Sequence, residues 1–433
     1  MLPAVVAPPA RRTSRLPAPA PPRTRRRRRG PPYADAVTPS AVPEPAAAAA
    51  RRARQGVRAA RRRGTDPGWP PEGLVLPAAG RRLLVGPANF AGQGWAWARA
   101  AEQLEDVAAL CFTVRRGGFP FRSDLEVALA RTADPRWQRA QQAWVCGGAF
   151  SHVLAEAARP LWGDRHGPDV RGELPVLARA GLDVALVAHG SDVRLPSAHA
   201  RREPASPFGH VPSDRRGYVA RLERAARRNL ATFAAFDGPR FVSTPDLVDL
   251  VPGSTWLPTV VALDVWEGAG LEAGPPLLRE RPVVLHAPTN PFLKGSDVVD
   301  AVMGRLDSEG LVTYRRVQGV APQDMAALVA GADVVVDQLV LGLYSVAAIE
   351  AMAAGRVVIA HVPDDVRART AAEASVPLPV VEATTSSLEA VVRELLAERS
   401  AAAAAAAAGP GFARAVHDGR RSAAVLAPWL LAP

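Results

Sequence analysis

Residues 332–362, ADVVVDQLVLGLYSVAAIEAMAAGRVVIAHV, constrain the fold more than any other stretch. Val334, Val335 and Val336 form a β-branched apolar run, the pattern of a strand buried on both faces. In the short loop that follows, Gly342 is free to take conformations that a Cβ would forbid. From Ser345 the text turns helical: Ala347, Ala348, Ala351, Met352, Ala353 and Ala354 are strong formers, and Gly355 is a natural stop. Val357 to Ile359 then starts another buried strand. In such a strand–loop–helix–strand unit the loop and the helix N-terminus can hold an anion at the carboxyl edge of a sheet. Glu350 stands alone among the alanines of that helix. A carboxylate in so apolar a run needs a partner, and a ligand hydroxyl is one candidate.

The rest of the chain repeats the alternation. Order begins at Arg81, with a strand over 83–86, the loop GPANFAGQG and the helical WAWARAAEQL. A loop carrying Gly92, Gln93 and Gly94 between strand and helix can cradle phosphate or carbohydrate, or can be only the tight first turn of an α/β domain. A strand follows at 107–113, and 119–142 shows no clear period. Residues 150–159 (FSHVLAEAAR) and 170–179 read as helices. The strand at 184–188 ends in His189, Gly190, Ser191, Asp192, Val193 and Arg194, polar groups where parallel sheets bind ligands. His189 suits donation to a sugar hydroxyl or phosphate, with Asp192 and Arg194 on the acceptor side; the alternative is that His189 and Asp192 only satisfy loop backbone. Residues 215–236 form an amphipathic helix whose arginines face solvent or, alternatively, acidic lipid headgroups. A strand at 241–243 and a short helix at 244–250 follow, and a Gly/Pro-rich linker is expected from 267 to 276. The second half holds strands at 283–285, 312–317 and 376–381, helices at 296–306 and 323–329, and a capping box from Ser386 to Glu389 opening a helix to 399. A final helix over 412–431 is expected to pack back on the body. The fold class is α/β: two doubly wound parallel-sheet domains facing a cleft.

Charge is distributed unevenly. Residues 1–80 carry 16 arginines against 4 acids, while the other 353 residues carry 37 basic and 38 acidic side chains. The near-neutral body argues against nucleic-acid binding there, and a disordered Arg/Pro/Ala-rich tail is expected over 1–76. Lysine occurs once, at Lys294. The arginine and alanine excess points to a GC-rich coding bias, which would turn an indifferent lysine into arginine; the one that escaped marks a position that needs an ammonium. Cys111 and Cys146 sit in apolar company, fitting buried thiols in a reducing compartment. With no long apolar run and a poor signal peptide, a cytoplasmic protein is expected, with peripheral contact at the inner membrane face as an option.

Residues 80–433 resemble the GT-B glycosyltransferases of family 4. GLYSVAAIEAMAAGRVVIA is similar to that family's donor motif of two glutamates separated by seven residues, and the Lys-Gly of FLKGSDVV to its diphosphate-binding Lys-Gly. The resemblance implies two Rossmann-like domains: an acceptor-side domain over 77–266, a linker over 267–280, a nucleotide-sugar domain over 281–408 and a returning helix over 409–433. It also implies that Glu350 binds the ribose hydroxyls and Lys294, beside Gly295, the diphosphate. His189 would lie near the transferred sugar, and the Gly92–Gly94 loop would close over donor and acceptor. Two positions depart from the pattern: the first glutamate falls on Gly342, and the usual arginine falls on Thr289, next to Asn290. Asp337, Tyr344 or Ser345 are candidates to fill the gap. Retention at the sugar carbon follows from the resemblance. With no Asp-x-Asp pair in the chain, no metal is indicated, and no cofactor is expected beyond a nucleotide-sugar co-substrate. The acceptor would be a glycan, lipid or small molecule. The competing readings are a degenerate GT-B protein that binds without turnover and an NDP-sugar epimerase.

Overall fold

Seven parallel strands make the first sheet: β1 (Arg81–Gly86), β2 (Val107–Arg115), β3 (Leu125–Ala128), β4 (His152–Glu156), β5 (Asp183–Ala188), β6 (Arg240–Val242) and β7 (Thr255–Trp256). Their order is β3-β2-β1-β4-β5-β6-β7. Five more form a second parallel sheet: β8 (Val283–His286), β9 (Thr313–Arg316), β10 (Val334–Val336), β11 (Val357–Ala360) and β12 (Val380–Glu382), in the order β12-β11-β10-β8-β9. The structure is a computed structural model that describes residues 66, 68–74, 76, 78–116 and 121–432. The expectation of a disordered tail lies, for residues 1–65, outside them. Within the described residues, order begins earlier than Arg81: Trp69 packs edge-on against Trp137 and Trp144, and its Nε1 donates to Gln141 Oε1 at 2.7 Å.

Each sheet order reverses once, and that reversal decides where a ligand can sit. The first sheet runs outward from β1 on one side and from β4 on the other; the second does the same from β8 and β10. At such a switch point the loops leaving two adjacent strands turn to opposite faces, opening a crevice at the carboxyl edge. The loops leaving β1 and β4 meet at one crevice and those leaving β8 and β10 at the other. The two edges face one another. Phe292, after β8, lies edge-on to Phe208 and Tyr218 from the first half, at 6.1 and 6.4 Å between ring centres.

The helices of use below are α1 (Gln93–Ala101), α2 (Pro135–Trp144), α3 (Arg216–Ala234), α4 (Leu263–Ala273), α5 (Ser296–Ser308), α6 (Val346–Ala353), α7 (Arg399–Val416) and α8 (Arg420–Leu430). Four expectations need correction. FSHVLAEAAR is the central strand β4, not a helix: all five of its residues are buried between β1 and β5, and burial on both faces overrides the helix propensity of Leu, Ala and Glu. The expected linker is largely α4, with Trp266 and Gly270 buried. The expected final helix is two: the alanine run is itself helical in α7, and α8 then returns to the first sheet, with Leu426 and Leu430 packed among Leu83, Trp97 and Leu154. The capping box at 386–389 does not form, as Ser387 makes no side-chain cap to the following helix. In α3 the arginines 216, 221, 224, 227 and 228 are exposed, while Ala226, Asn229, Thr232 and Phe233 are buried. No helix among the described residues is long and apolar enough to cross a membrane.

Candidate active site

At the second switch point β8 delivers its chain into the four-residue helix Pro291–Lys294, which stops at Gly295. Gly295 has φ +70°, and a Cβ there would stand 2.8 Å from Val340, so both the turn and the close approach require glycine. The turn points the Lys294 side chain, 17% exposed, at the end of β10, where Nζ donates to Asp337 Oδ1 at 2.5 Å and to Ser345 Oγ at 2.8 Å. Asp337 is buried and fully engaged: Oδ2 accepts from Ser345 N at 2.9 Å and Oδ1 from Ser345 Oγ at 2.6 Å. Ser345 is also the residue before α6, so the ammonium lies at that helix's N-terminus. Glu350 follows on α6. Burial pushes its carboxyl up to about 8; nearby Asp337 adds to the rise and Lys294 opposes it.

Two buried side chains brace this crevice. Gln338 is fully buried, accepts from Val340 N (3.0 Å) and Leu341 N (2.7 Å), and donates to His361 O (2.8 Å) and to Leu343 O. His286 donates from Nδ1 to Val336 O at 2.8 Å and accepts at Nε2 from Ser296 Oγ at 2.8 Å, with burial pushing its pKa down to about 4. Both act as struts, holding the loop through backbone groups that would otherwise go unpaired.

The sequence-derived residues do not all converge. Lys294, Gly295, Asp337, Ser345 and Glu350 come together. Thr289 is exposed, and Asn290 donates to Tyr218 Oη at 3.2 Å across the cleft. Tyr344 requires correction: its ring is 2% exposed and packs on Phe412 and His417, so it faces the returning helix α7 and is removed from the donor-facing set. A glutamate at 342 would be strained here. Gly342 has φ +68°, and a Cβ would lie 3.1 Å from Pro363 and 3.4 Å from Glu203 Oε2.

At the first switch point, the Gly92–Gly94 loop is closed onto its own protein. Glu156, at the end of β4 and fully buried, accepts from Ala88 N (3.0 Å) and Asn89 N (2.8 Å). His189 follows β5; its Nε2 lies 3.3 Å from Glu156 Oε1, and its ring stacks on Trp97 and meets the edge of Phe90. Gly94 is needed because a Cβ would come 2.8 Å from that carboxylate. Gln93 is tied to the crossover segment, accepting from Val260 N at 2.7 Å and donating to Val260 O at 3.1 Å. Asp192 accepts from His189 N at 3.0 Å, and its pKa is raised by burial. Arg194 is corrected to a structural role: it is buried in an ion pair with Asp246 and unavailable to an acceptor. Glu156 and Trp97 were not legible as site residues. Glu156 lay in the stretch that reads as helix, and no local signal marked it.

A cavity of about 290 Å³ lies away from both edges, between α1 and the segment before α4, lined by Trp95, Arg99, Gln103, Val260 and Asp418. Arg99 is paired there with Glu102 and Asp124, and Asp418 with Arg420, which leaves the exposed Asp264 as the cavity's one unpaired charge among the described residues.

Solved structures match this arrangement of two parallel sheets over about four fifths of the chain. A sucrose-phosphate synthase from Thermosynechococcus elongatus superposes with TM-score 0.53 at 13% identity, covering 80% of this chain and 97% of that one. The chain has the GT-B fold. The Anabaena protein Alr3699/HepE, solved in complex with UDP and glucose, matches with TM-score 0.52 at 12% identity over 81% of this chain and 99% of its own. A Rickettsia africae glycosyltransferase matches at 0.50 and 9% over 81% and 97%. No family model and no curated protein matches the sequence. Within the GT-B frame, the Lys294 crevice belongs to the second sheet and the His189 crevice to the first.

Proposed function

We propose that the protein is a glycosyltransferase that takes a sugar from a nucleotide-sugar donor, with retention and without a metal. The observation that carries this reading is the ammonium of Lys294, fixed by Asp337 and Ser345 at the N-terminus of α6, with Glu350 farther along the same helix. Breaking a nucleotide-sugar bond leaves a diphosphate with new negative charge. Groups already aimed at that charge lower the barrier without reorganising. Lys294 supplies a full charge and the helix N-terminus a partial one. Glu350, uncharged up to about pH 8, can donate as well as accept a hydrogen bond to ribose hydroxyls. Among the described residues no group of three or more His, Cys, Asp or Glu could hold a metal ion, and the reading assigns the charge work to Lys294 instead. The UDP and glucose in the Anabaena neighbour support a nucleotide-sugar for this chain. The acceptor would enter from the His189 side.

Lys294→Ala is expected to lower turnover by about 10²–10³, roughly 3–4 kcal/mol, the cost of losing one preorganised donor. A thermal-shift panel of UDP-, GDP-, ADP- and dTDP-sugars gives the binding readout, with about 2.7 kcal/mol added at a hundredfold excess over Kd. A loss below fivefold removes Lys294 from the chemistry. A second reading, binding without turnover, is favoured by one observation: Asp337 already pairs with the ammonium, and a carboxylate at position 342 would sit on strained left-handed backbone. Donor binding with no sugar released or transferred selects it.

A further inference from the structure

Two strained loops meet at the first switch point, and between them they display a cation that the protein itself does not pair. Seven described residues other than glycine have positive φ; four of them, Asn89, Ala91, Ala157 and Ala158, lie in the loops leaving β1 and β4. Left-handed backbone is unfavourable for residues with a Cβ, and it persists only where surrounding contacts impose it. Here the contacts are plain: Glu156 takes Ala88 N and Asn89 N, Ala157 N donates to Val187 O at 2.8 Å, and Val170 N donates to Ala158 O at 3.0 Å. The outcome of the Ala157-Ala158 turn is the direction of Arg159. Its guanidinium lies over the Phe90 ring, 4.5 Å from the centre, and Phe90 in turn meets His189.

Among the described residues Arg159 has no side-chain hydrogen bond or ion pair. The nearby carboxylates are committed elsewhere, Glu156 to the β1 loop and His189, and Asp192 to His189 N. Burial pulls the Arg159 pKa down, and Arg116, exposed at the end of β2, pulls it further. Phe90 favours the guanidinium, and Asp192 and Glu156 favour its charge from a distance, but burial and the second arginine outweigh them, and an anion placed against the guanidinium relieves that cost. We propose that Arg159 and Arg116 form an anion subsite beside His189, which takes an acceptor bearing a phosphate or carboxylate group. The word acceptor rests on the transferase reading above; the anion site itself rests only on residues of the first sheet.

The test uses the full chain in calorimetric titrations with glucose 6-phosphate, glucuronate and glucose, each against wild type, Arg159→Gln, Arg159→Lys and Arg116→Gln. The charged sugars are expected to bind at least about tenfold tighter than glucose, as a charge-assisted hydrogen bond would give. In Arg159→Gln that gap falls below about threefold, and Arg159→Lys keeps part of it. UDP, titrated into the same proteins, reports on the second sheet and is unchanged, which separates loss of the subsite from loss of the fold. Sedimentation with phosphatidylglycerol vesicles identifies the source of the phosphate. Arg159-dependent capture puts it on a lipid; binding of glucose 6-phosphate without capture puts it on a soluble sugar. Equal binding of the three sugars, no binding of any, or a gap that survives Arg159→Gln overturns the proposal. Failure of UDP to bind with the gap intact overturns the donor reading and leaves this one standing.

Discussion

Glu350 carries a carboxyl that the fold holds protonated well past its ordinary range, and this has a sign that can be checked. Its pKa rises from 4.5 unfolded to about 8 folded, so the native state binds the extra proton between those values. Stability from this group is complete below about pH 4.5 and is lost as the pH climbs to 8. Glu350→Gln removes that loss: its melting temperature is expected to exceed wild type at pH 8 by more than at pH 5. A parallel pair of curves would mean that the carboxyl does not titrate in this window. Lys294 and Glu350 were readable from sequence because each is an exception in its surroundings, one lysine among arginines and one acid among alanines. Glu156 and Gln338 were not: Glu156 works through backbone N–H groups brought close from 67 and 68 positions away, and Gln338 folds back onto its own loop while reaching the carbonyl of His361, a contact that no local pattern announces. Tyr344 misled for the complementary reason: position along a motif does not fix which way a ring turns.

At the scale of elements, α4 shows how a helix hides inside a linker-like text. Its glycines differ in what they face. Gly270 packs against the chain just after α6, so that a Cβ would come 2.3 Å from Ala354 O, while a Cβ on Gly268 would meet nothing within 4 Å. In α7, Gly409 has the same constraint as Gly270, with Met352 O at 2.5 Å. Gly270→Ala and Gly409→Ala are each expected to destabilise by about 1–3 kcal/mol, since backbone must move. Gly268→Ala, in the same helix as Gly270, is expected to stabilise by up to about 1 kcal/mol through helix propensity. Urea midpoints decide; the packing account fails if the three substitutions shift stability in the same direction. Periodicity announced the buried strands β8, β10 and β11 because their valines and isoleucines have no other use. It missed β4, whose alanine, leucine and glutamate are ordinary helix formers made into a strand by the neighbours on either side. It read α4 as a linker because the glycines required by close packing look the same in sequence as the glycines of a turn.

For the molecule as a whole, the alternation of strands and helices was enough to give two parallel sheets, but not how their edges meet. Those contacts pair residues some 70 to 160 positions apart. His199, from the helix Pro196–Arg202, lies with Nε2 3.3 Å from Leu341 O. His361, after β11, bridges two carboxylates: Nε2 is 3.1 Å from Glu203 Oε1, on the first-sheet side, and Nδ1 is 2.6 Å from Glu382 Oε1. Arg367 also pairs with Glu382, at 2.9 Å, and Gln338 donates to the His361 carbonyl. The hydrogen bond to Glu382 raises the His361 pKa, burial opposes it, and Glu203 adds to the rise. A histidine raised above its unfolded value of 6.5 contributes fully below that pH, and the contribution is lost as the pH rises through the folded pKa. The bridge across the cleft should therefore loosen on the alkaline side. Wild type is expected to lose melting temperature and gain radius of gyration between pH 6 and pH 9, the latter followed by X-ray scattering. His361→Gln and Glu203→Gln should each flatten both changes. The two variants also separate the halves of the bridge, since Glu203→Gln leaves the Glu382 and Arg367 contacts within the second domain in place. Were Glu203→Gln to keep the full pH dependence of the radius, the carboxylate across the cleft would have no part in holding the two sheets together.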